Sequence, residues 1–222
     1  MIKRLALLCC ILLLPTIAAA EGNTNYGDFW VGGQIGGVFT PGTDATFTAP
    51  GVRITDSIQT DPGFSAGAIV GYNFCMANRP AWQRYFGVAL DFQWNQFNQY
   101  GKNFFPTISG NQFALSFLGR LQYPFMGSER FTRGRLVPFL MFGPAIVWTN
   151  SDFSNVGGGS RTSTDFGIVA EVGLEFFIIP QLSIGPSFRY RHVFGPTFET
   201  RGVDIDSSLN QFMVLGRLAW HF

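Results

Sequence analysis

Apolar and polar side chains alternate along several stretches of the chain. From Phe86 to Trp94 every second residue is large and apolar, while the residues between are small or polar. The same period of two recurs from Gln112 to Leu121 and from Asp165 to Phe176. Because successive side chains of a β-strand point to opposite faces, each stretch predicts a strand with one apolar and one polar face.

Eight such segments, separated by turn-forming residues, account for most of the chain after its first 20 residues. They are 28–39, 63–74, 84–96, 110–124, 136–148, 165–177, 182–194 and 209–222. The first, second and fifth are rich in Gly or apolar on both faces, so their inward sides stay undecided. The even number is what a closed antiparallel barrel with both termini on one side requires.

The distribution of charge decides which kind of barrel is expected. Large apolar residues occupy one face and charged residues the other, the arrangement of a barrel with lipid outside and a polar lumen. Charged residues make up only 13% of the chain and aromatic residues 16%, which suits a surface in contact with lipid. The longest apolar run, 136–148, is interrupted by Pro138, Gly143 and Pro144 and is shorter than the roughly 17 residues a membrane-spanning helix needs. The predicted fold is therefore all-β, an eight-stranded antiparallel transmembrane β-barrel.

The connections between the segments alternate in character. Those at 40–62, 97–109, 149–164 and 195–208 are long and polar, whereas those at 75–83, 125–135 and 178–181 are shorter on the whole. Membrane barrels carry long loops outside and short turns on the periplasmic side. We expect any extracellular ligand to bind the four long loops.

The first 20 residues have the composition of a cleaved export signal. Lys3 and Arg4 precede an apolar stretch that ends at Pro15, and Ala18 and Ala20 form a cleavage site. We expect 1–20 to be removed and 21–222 to form a single barrel domain. Cys75 is then the only cysteine left, so the exported chain can form no internal disulfide.

The net charge of the exported part argues against nucleic-acid binding. Removing Lys3 and Arg4 from the 15 basic residues leaves 13, against 14 acidic residues. Such a balance provides no basic surface for nucleic acid.

The last strand resembles the C-terminal signature of bacterial outer-membrane barrels. Val214, Leu218, Trp220 and Phe222 place apolar side chains at alternate positions up to a terminal aromatic residue, although Arg217 stands where that signature most often has Gly. The segment 63–74 is similar to the second strand of the superfamily of opacity-type and OmpA/OmpX-like small barrels. The resemblance implies a location in the outer membrane, outer-membrane lipid around the barrel and an assembly machinery that reads the chain end.

The predicted inward face carries the candidate site. It holds seven charged residues: Asp91, Arg120, Glu171, Glu175, Arg189, Arg191 and Arg217. The lumen of an eight-stranded barrel is just wide enough to be filled by side chains, and buried charges must pair. We therefore expect a structural ion-pair plug in the lumen, with a narrow or gated conduit as the alternative use of the same residues. A tight turn around Pro180 joins the sixth and seventh segments, and positions at equal distance from it should pair, so that Glu171 faces Arg189.

Enzymatic function has weak support. The segment Arg189–His192 resembles the segment that holds the catalytic His of outer-membrane lipid A deacylases, but that family has Ser two residues after the His, where this chain has Phe194. His192 and His221 with one Cys cannot form a metal cluster. We expect no catalytic site, metal or cofactor, and a role in envelope integrity or surface interaction. The alternatives are a porin-like conduit for small or apolar solutes and, less favoured, a lipid-modifying enzyme.

Overall fold

In a computed structural model of the chain, the described residues are 28–49, 52–74, 85–101, 108–128, 131, 134–152, 159–194, 197–200, 203–206 and 209–222. The twelve strands are β1 (Asp28–Phe39), β2 (Thr43–Ala49), β3 (Val52–Asp61), β4 (Gly63–Asn73), β5 (Phe86–Gly101), β6 (Ile108–Gln122), β7 (Leu136–Asp152), β8 (Ser160–Ile179), β9 (Leu182–Val193), β10 (Thr197–Thr200), β11 (Val203–Asp206) and β12 (Leu209–His221). The expected signal peptide, 1–20, and Cys75 lie outside the described residues. No helix in the described ranges is both long and apolar enough to cross a membrane.

Eight strands form a closed antiparallel barrel. They are β1, β4, β5, β6, β7, β8, β9 and β12, each paired with the next, and β12 pairs back onto β1 from Phe39 opposite Phe212 to Trp30 opposite His221. Each of the eight segments predicted from the sequence falls on one barrel strand. The predicted fold class is confirmed.

The prediction of four long loops is partly wrong, because two of these connections contain β-hairpins. The segment 40–62 holds β2 and β3, and 195–208 holds β10 and β11. The other two are shorter than predicted, since β5 and β6 cover part of 97–109 and β7 and β8 cover part of 149–164.

These hairpins have a physical cause in the unequal lengths of the barrel strands. β5 runs on to Gly101, beyond the point where its neighbour β4 begins, and its extra backbone groups need partners. β3 supplies them, with Ile58 opposite Gly101 and Asp61 opposite Asn98. β2 then pairs with β3, β11 with β2 and β10 with β11, so a sheet extends beyond one end of the barrel.

The barrel is polar inside and apolar outside. Phe142, Phe166 and Val214 are 58%, 70% and 65% exposed on the outer wall. Asp91 and Glu171 are buried inside. A soluble barrel has the opposite arrangement, whereas an exterior of this kind suits surrounding hydrocarbon.

The structure also fixes the strands whose inward side the sequence left open. In β1 the inward residues include Trp30, Gln34 and Val38, all buried. In β7 the inward side includes Phe139 and Met141, although the outward residues between and beyond them are equally apolar. Aromatic rings therefore enter the lumen from β1 and β7, for which the pattern of charged residues did not predict the inward face.

The C-terminal strand presents the expected side chains to the outside. Val214, Leu218 and Trp220 are exposed on the outer wall, and Phe222 is half-buried at the end of the chain. The backbone N–H of Phe222 donates to the carbonyl of Phe29 at 2.8 Å, and the two rings lie 5.7 Å apart. The terminal residue thus fastens the closing strand to the first one.

Candidate functional site

All seven charged residues singled out in the sequence point into the lumen. Each is at most 2% exposed: Asp91, Arg120, Glu171, Glu175, Arg189, Arg191 and Arg217. They come from β5, β6, β8, β9 and β12, so the alternation in each strand brings them to one interior.

Arg189 is the centre of the cluster. Its Nε and Nη2 donate to Oε2 of Glu171 at 2.8 and 2.6 Å. Its Nη1 donates to Oδ1 of Asp91 at 2.8 Å. One guanidinium therefore joins carboxylates from two strands on different sides of the lumen.

The hairpin geometry explains why Glu171 meets Arg189. β8 and β9 are joined by a tight turn at Pro180 and Gln181, and positions at equal distance from the turn pair with each other. Glu171 lies opposite Arg189 in this register, as the sequence predicted. A register shift next to the turn, between Phe177 and Ile179, leaves this pairing intact.

Two further arginines extend the cluster toward the end of the barrel at which β1 begins and β12 ends. Arg217 Nη2 lies 2.6 Å from Oε1 of Glu171, and its Nη1 lies 3.7 Å from Oε1 of Glu175. Arg120 binds Glu175 with two parallel hydrogen bonds of 3.0 and 2.7 Å. Paired bonds of this kind fix the orientation of both groups as well as their distance.

The contacts form one continuous chain of opposite charges. It runs from Asp91 through Arg189, Glu171, Arg217 and Glu175 to Arg120. We call these six residues the lumen cluster. Because each carboxylate touches a guanidinium, no acid of the lumen cluster is buried without a counter-charge.

Two aromatic rings pack against the guanidiniums of the lumen cluster, and the sequence did not single out either. The guanidinium carbon of Arg120 lies 5.1 Å from the ring centre of Trp30 and 4.8 Å from that of Phe139. That of Arg217 lies 5.8 and 4.8 Å from the same rings. A cation over an aromatic face is attracted to it, more strongly away from water.

Uncharged side chains complete the network. Gln34 donates to Asp91 through Nε2 and accepts from Arg189 at 3.3 Å, while Gln93 accepts from Arg189 at 2.6 Å. Gln93 also donates to the hydroxyl of Ser65 at 2.8 Å. The lumen cluster, the two rings and these uncharged side chains together form a network with residues from all eight barrel strands.

Arg191 departs from the predicted ion-pair cluster. Its Nε donates to Gln211 at 2.8 Å and its Nη2 to Gln112 at 2.5 Å, and both acceptors are amide oxygens. No carboxylate of the described residues lies within ion-pair distance of it. The sequence prediction was wrong here because alternation identifies the inward face but not the height at which each side chain finds a partner.

His192, on which the enzymatic alternative depends, is not brought together with the buried acids of the lumen. His192 lies on the outer wall, where its Nδ1 is 2.8 Å from Asn210 Oδ1 and its ring packs edge-on against Phe194 at 4.7 Å. Glu171 and Glu175 face the lumen on the other side of the wall. Within the described residues, no group of three or more His, Cys, Asp or Glu could hold a metal ion.

A closed barrel with this outer wall and this interior defines a class of protein that resides in a membrane. The profile of the outer membrane protein beta-barrel domain family matches residues 6–222. The chain belongs to this family, and the bacterial outer membrane is the location that this membership indicates.

Several solved structures are similar to this chain at low sequence identity, and OprG shows the same fold. The outer membrane protein OprG from Pseudomonas aeruginosa is 14% identical, with a TM-score of 0.65 over 89% of this chain and 97% of that one. Ail, the attachment invasion locus protein of Yersinia pestis, is 15% identical, with a TM-score of 0.42 over 89% and 99%. Neisserial surface protein A is 13% identical, with a TM-score of 0.47 over 87% and 97%. No curated protein gives a significant match.

Proposed function

We propose that this outer-membrane barrel is a non-enzymatic scaffold whose lumen is closed by the lumen cluster, and that it serves envelope integrity or surface interaction through its outer loops. The single observation that carries the proposal is the continuous chain of ion pairs from Asp91 to Arg120 across the interior. The two acids on the inward face of β8, Glu171 and Glu175, are both engaged in it.

The cross-linking of opposite walls supports closure. Arg189 joins β9 to β8 and to β5, and Arg120 joins β6 to β8. An open path for solutes would require several of these buried charges to separate together. Breaking a buried pair costs about 3–5 kcal/mol, so a persistently open lumen is disfavoured.

Solute uptake by proteoliposomes tests closure. Purified protein is reconstituted into vesicles, and swelling is followed in an isotonic solution of a small sugar. We expect the natural protein to swell no faster than protein-free vesicles. The double variant Arg120→Ser with Glu175→Ser removes one matched pair, leaves Arg217 paired with Glu171 and should admit the sugar.

A matched control removes one acid and one base from outside the lumen cluster. Asp152 is exposed at the last position of β7, and Arg161 is exposed near the start of β8. The double variant Asp152→Ser with Arg161→Ser should stay as impermeable as the natural protein. Rapid swelling with the natural protein would show that the lumen is open and would favour the conduit over the closed scaffold.

The sheet beyond the barrel supports surface presentation. β2, β3, β10 and β11 continue the barrel wall at the end opposite the start of β1 and the end of β12, and family barrels turn this end outward. In a Cys75→Ser background, Gln59→Cys at an exposed position of β3 should react with a membrane-impermeant maleimide on intact cells. Ser128→Cys, in the connection between β6 and β7, should react only after the outer membrane is opened. The reverse pattern would show that the hairpins face the periplasm.

A further inference from the structure

Arg191 is a buried cation that only neutral groups hold. It is 0% exposed and reaches from β9 to Gln211 on the neighbouring β12 and to Gln112 on β6, several strands away across the lumen. Rotating the side-chain amide of Asn95 on β5 gives both its nitrogen and its oxygen a hydrogen-bond partner. In that orientation the Asn95 oxygen also accepts a hydrogen bond from Nη2 of Arg191. Three amide oxygens orient the guanidinium, but they carry no charge to balance it.

The surrounding charges do not balance. The interior between Asp91 and Glu175 contains four arginines and three carboxylates: Arg120, Arg189, Arg191 and Arg217 against Asp91, Glu171 and Glu175. Each of these carboxylates already contacts another arginine. The described interior at this height therefore has one positive charge in excess.

The next acid on the same inward face is too far away to neutralise Arg191. Val169 is the strand partner of Arg191, and Asp165 stands four residues further out on β8. Four residues of strand correspond to about 13 Å. Asp165 accepts from the hydroxyl of Ser163 at 2.7 Å instead.

The inward wall beyond Arg191 is partly apolar. Val147, Val193 and Leu209 are buried there beside the polar residues Thr149, Ser163 and Asp165. Apolar walls of low dielectric constant concentrate the attraction of a charge at the bottom of a cleft. On the other side of Arg191 the lumen cluster blocks access, so an anion would arrive from the outside.

We propose that Arg191, with Asn95, Gln112 and Gln211, forms an anion-binding site on the outer side of the lumen cluster. It takes a small monovalent anion, a halide or a compact carboxylate. The guanidinium supplies the charge, and rotation of the surrounding amides turns their N–H₂ groups toward the anion. The site lies above the closed part of the lumen and does not require a conduit.

Chloride is the probe. The purified barrel in neutral detergent is heated at constant ionic strength while sodium gluconate, whose anion is bulky, is replaced stepwise by sodium chloride. A ligand that binds only the folded state raises the unfolding midpoint, and above its Kd the stabilisation grows with the logarithm of the ligand concentration. We expect such a rise in the natural protein and, for Arg191→Gln, a loss of apparent chloride affinity of about tenfold or more.

Two controls separate the site from general screening. Arg161 is exposed at the outer end of β8, and Arg161→Gln removes one positive charge without touching the interior. It should keep the chloride dependence, and Arg191→Lys should keep part of it. Broadening of the chloride-35 resonance by the natural protein gives a second readout that needs no variant to fold. Absence of both effects in the natural protein, or equal chloride dependence in Arg191→Gln, would overturn the proposal.

Discussion

Arg189 and Glu171 face each other across β9 and β8, with Nη2 of the arginine 2.6 Å from Oε2 of the glutamate. Both residues are 1% exposed, so water does not share in solvating either charge. Removing one partner of such a pair leaves the other charge buried, and that penalty exceeds the value of the contact itself. The pair therefore links the hairpin of β8 and β9 to the chain of ion pairs that crosses the lumen.

We expect Arg189→Ala to lower the free energy of unfolding by about 3–5 kcal/mol, because it leaves Asp91 without its ion pair and Glu171 with Arg217 alone. Adding Glu171→Ala should recover part of the loss. Urea unfolding in lipid vesicles measures the free energy of unfolding of Arg189→Ala, of Glu171→Ala and of the double variant. Contacting residues commonly couple by about 0.5–3 kcal/mol.

The control for this cycle combines Arg189→Ala with Arg161→Ala, because Arg161 is exposed near the start of β8. Those two losses should add. If the Arg189 and Glu171 losses add equally well, the ion pair is not formed in the membrane.

The second prediction concerns the ring that covers the guanidiniums. A Cβ atom on Gly71 would lie 2.3 Å from Cζ2 and 2.4 Å from Cε2 of Trp30, and a rigid indole cannot yield without moving away from Arg120. Gly71→Ala should therefore destabilise the barrel by about 1–3 kcal/mol through overpacking.

Gly33 provides the matched substitution, because a Cβ at that position meets nothing within 4 Å. Gly33→Ala on the outer wall should leave stability within about 0.5 kcal/mol of the natural protein. The same urea titration serves both. Equal effects at the two positions would mean that Trp30 does not pack against β4.

The third prediction concerns the end of the chain and the assembly machinery that the family resemblance implies. Deleting Phe222 removes the hydrogen bond to Phe29 and the terminal aromatic residue. We expect poor insertion and proteolysis in cells, but a much milder loss when the purified chain refolds into detergent. The heat-modifiable gel shift of the folded barrel reports both. Equal yields from cells for the intact and shortened chains would show that Phe222 is only the end of a strand.

The sequence predicts the barrel well because alternation is a local property. Phe92 and Gln93 differ in polarity, and the structure puts one outside and the other inside. In β7 the neighbours Met141 and Phe142 are both apolar, so the sequence does not say which enters the lumen. Trp30 and Phe139 were missed for this reason.

The partners within the lumen are less predictable than the faces. A short turn fixes the register of one hairpin, which is why Glu171 and Arg189 could be paired in advance. The contact of Arg189 with Asp91 joins residues 98 apart in sequence and depends on barrel closure and on the stagger of every strand between them. The sequence does not reveal the stagger of the strands, and for this reason Arg191 was wrongly assigned to the ion pairs.

The central claim is that the lumen cluster closes this outer-membrane barrel, and single-channel recording tests it most directly. Purified natural protein is inserted into a planar lipid bilayer, with insertion verified by the heat-modifiable gel shift of protein recovered from the same preparation. We predict an electrically silent membrane, because the ion pairs from Asp91 to Arg120 cross the lumen. Steady conductance steps from the natural protein would contradict the claim.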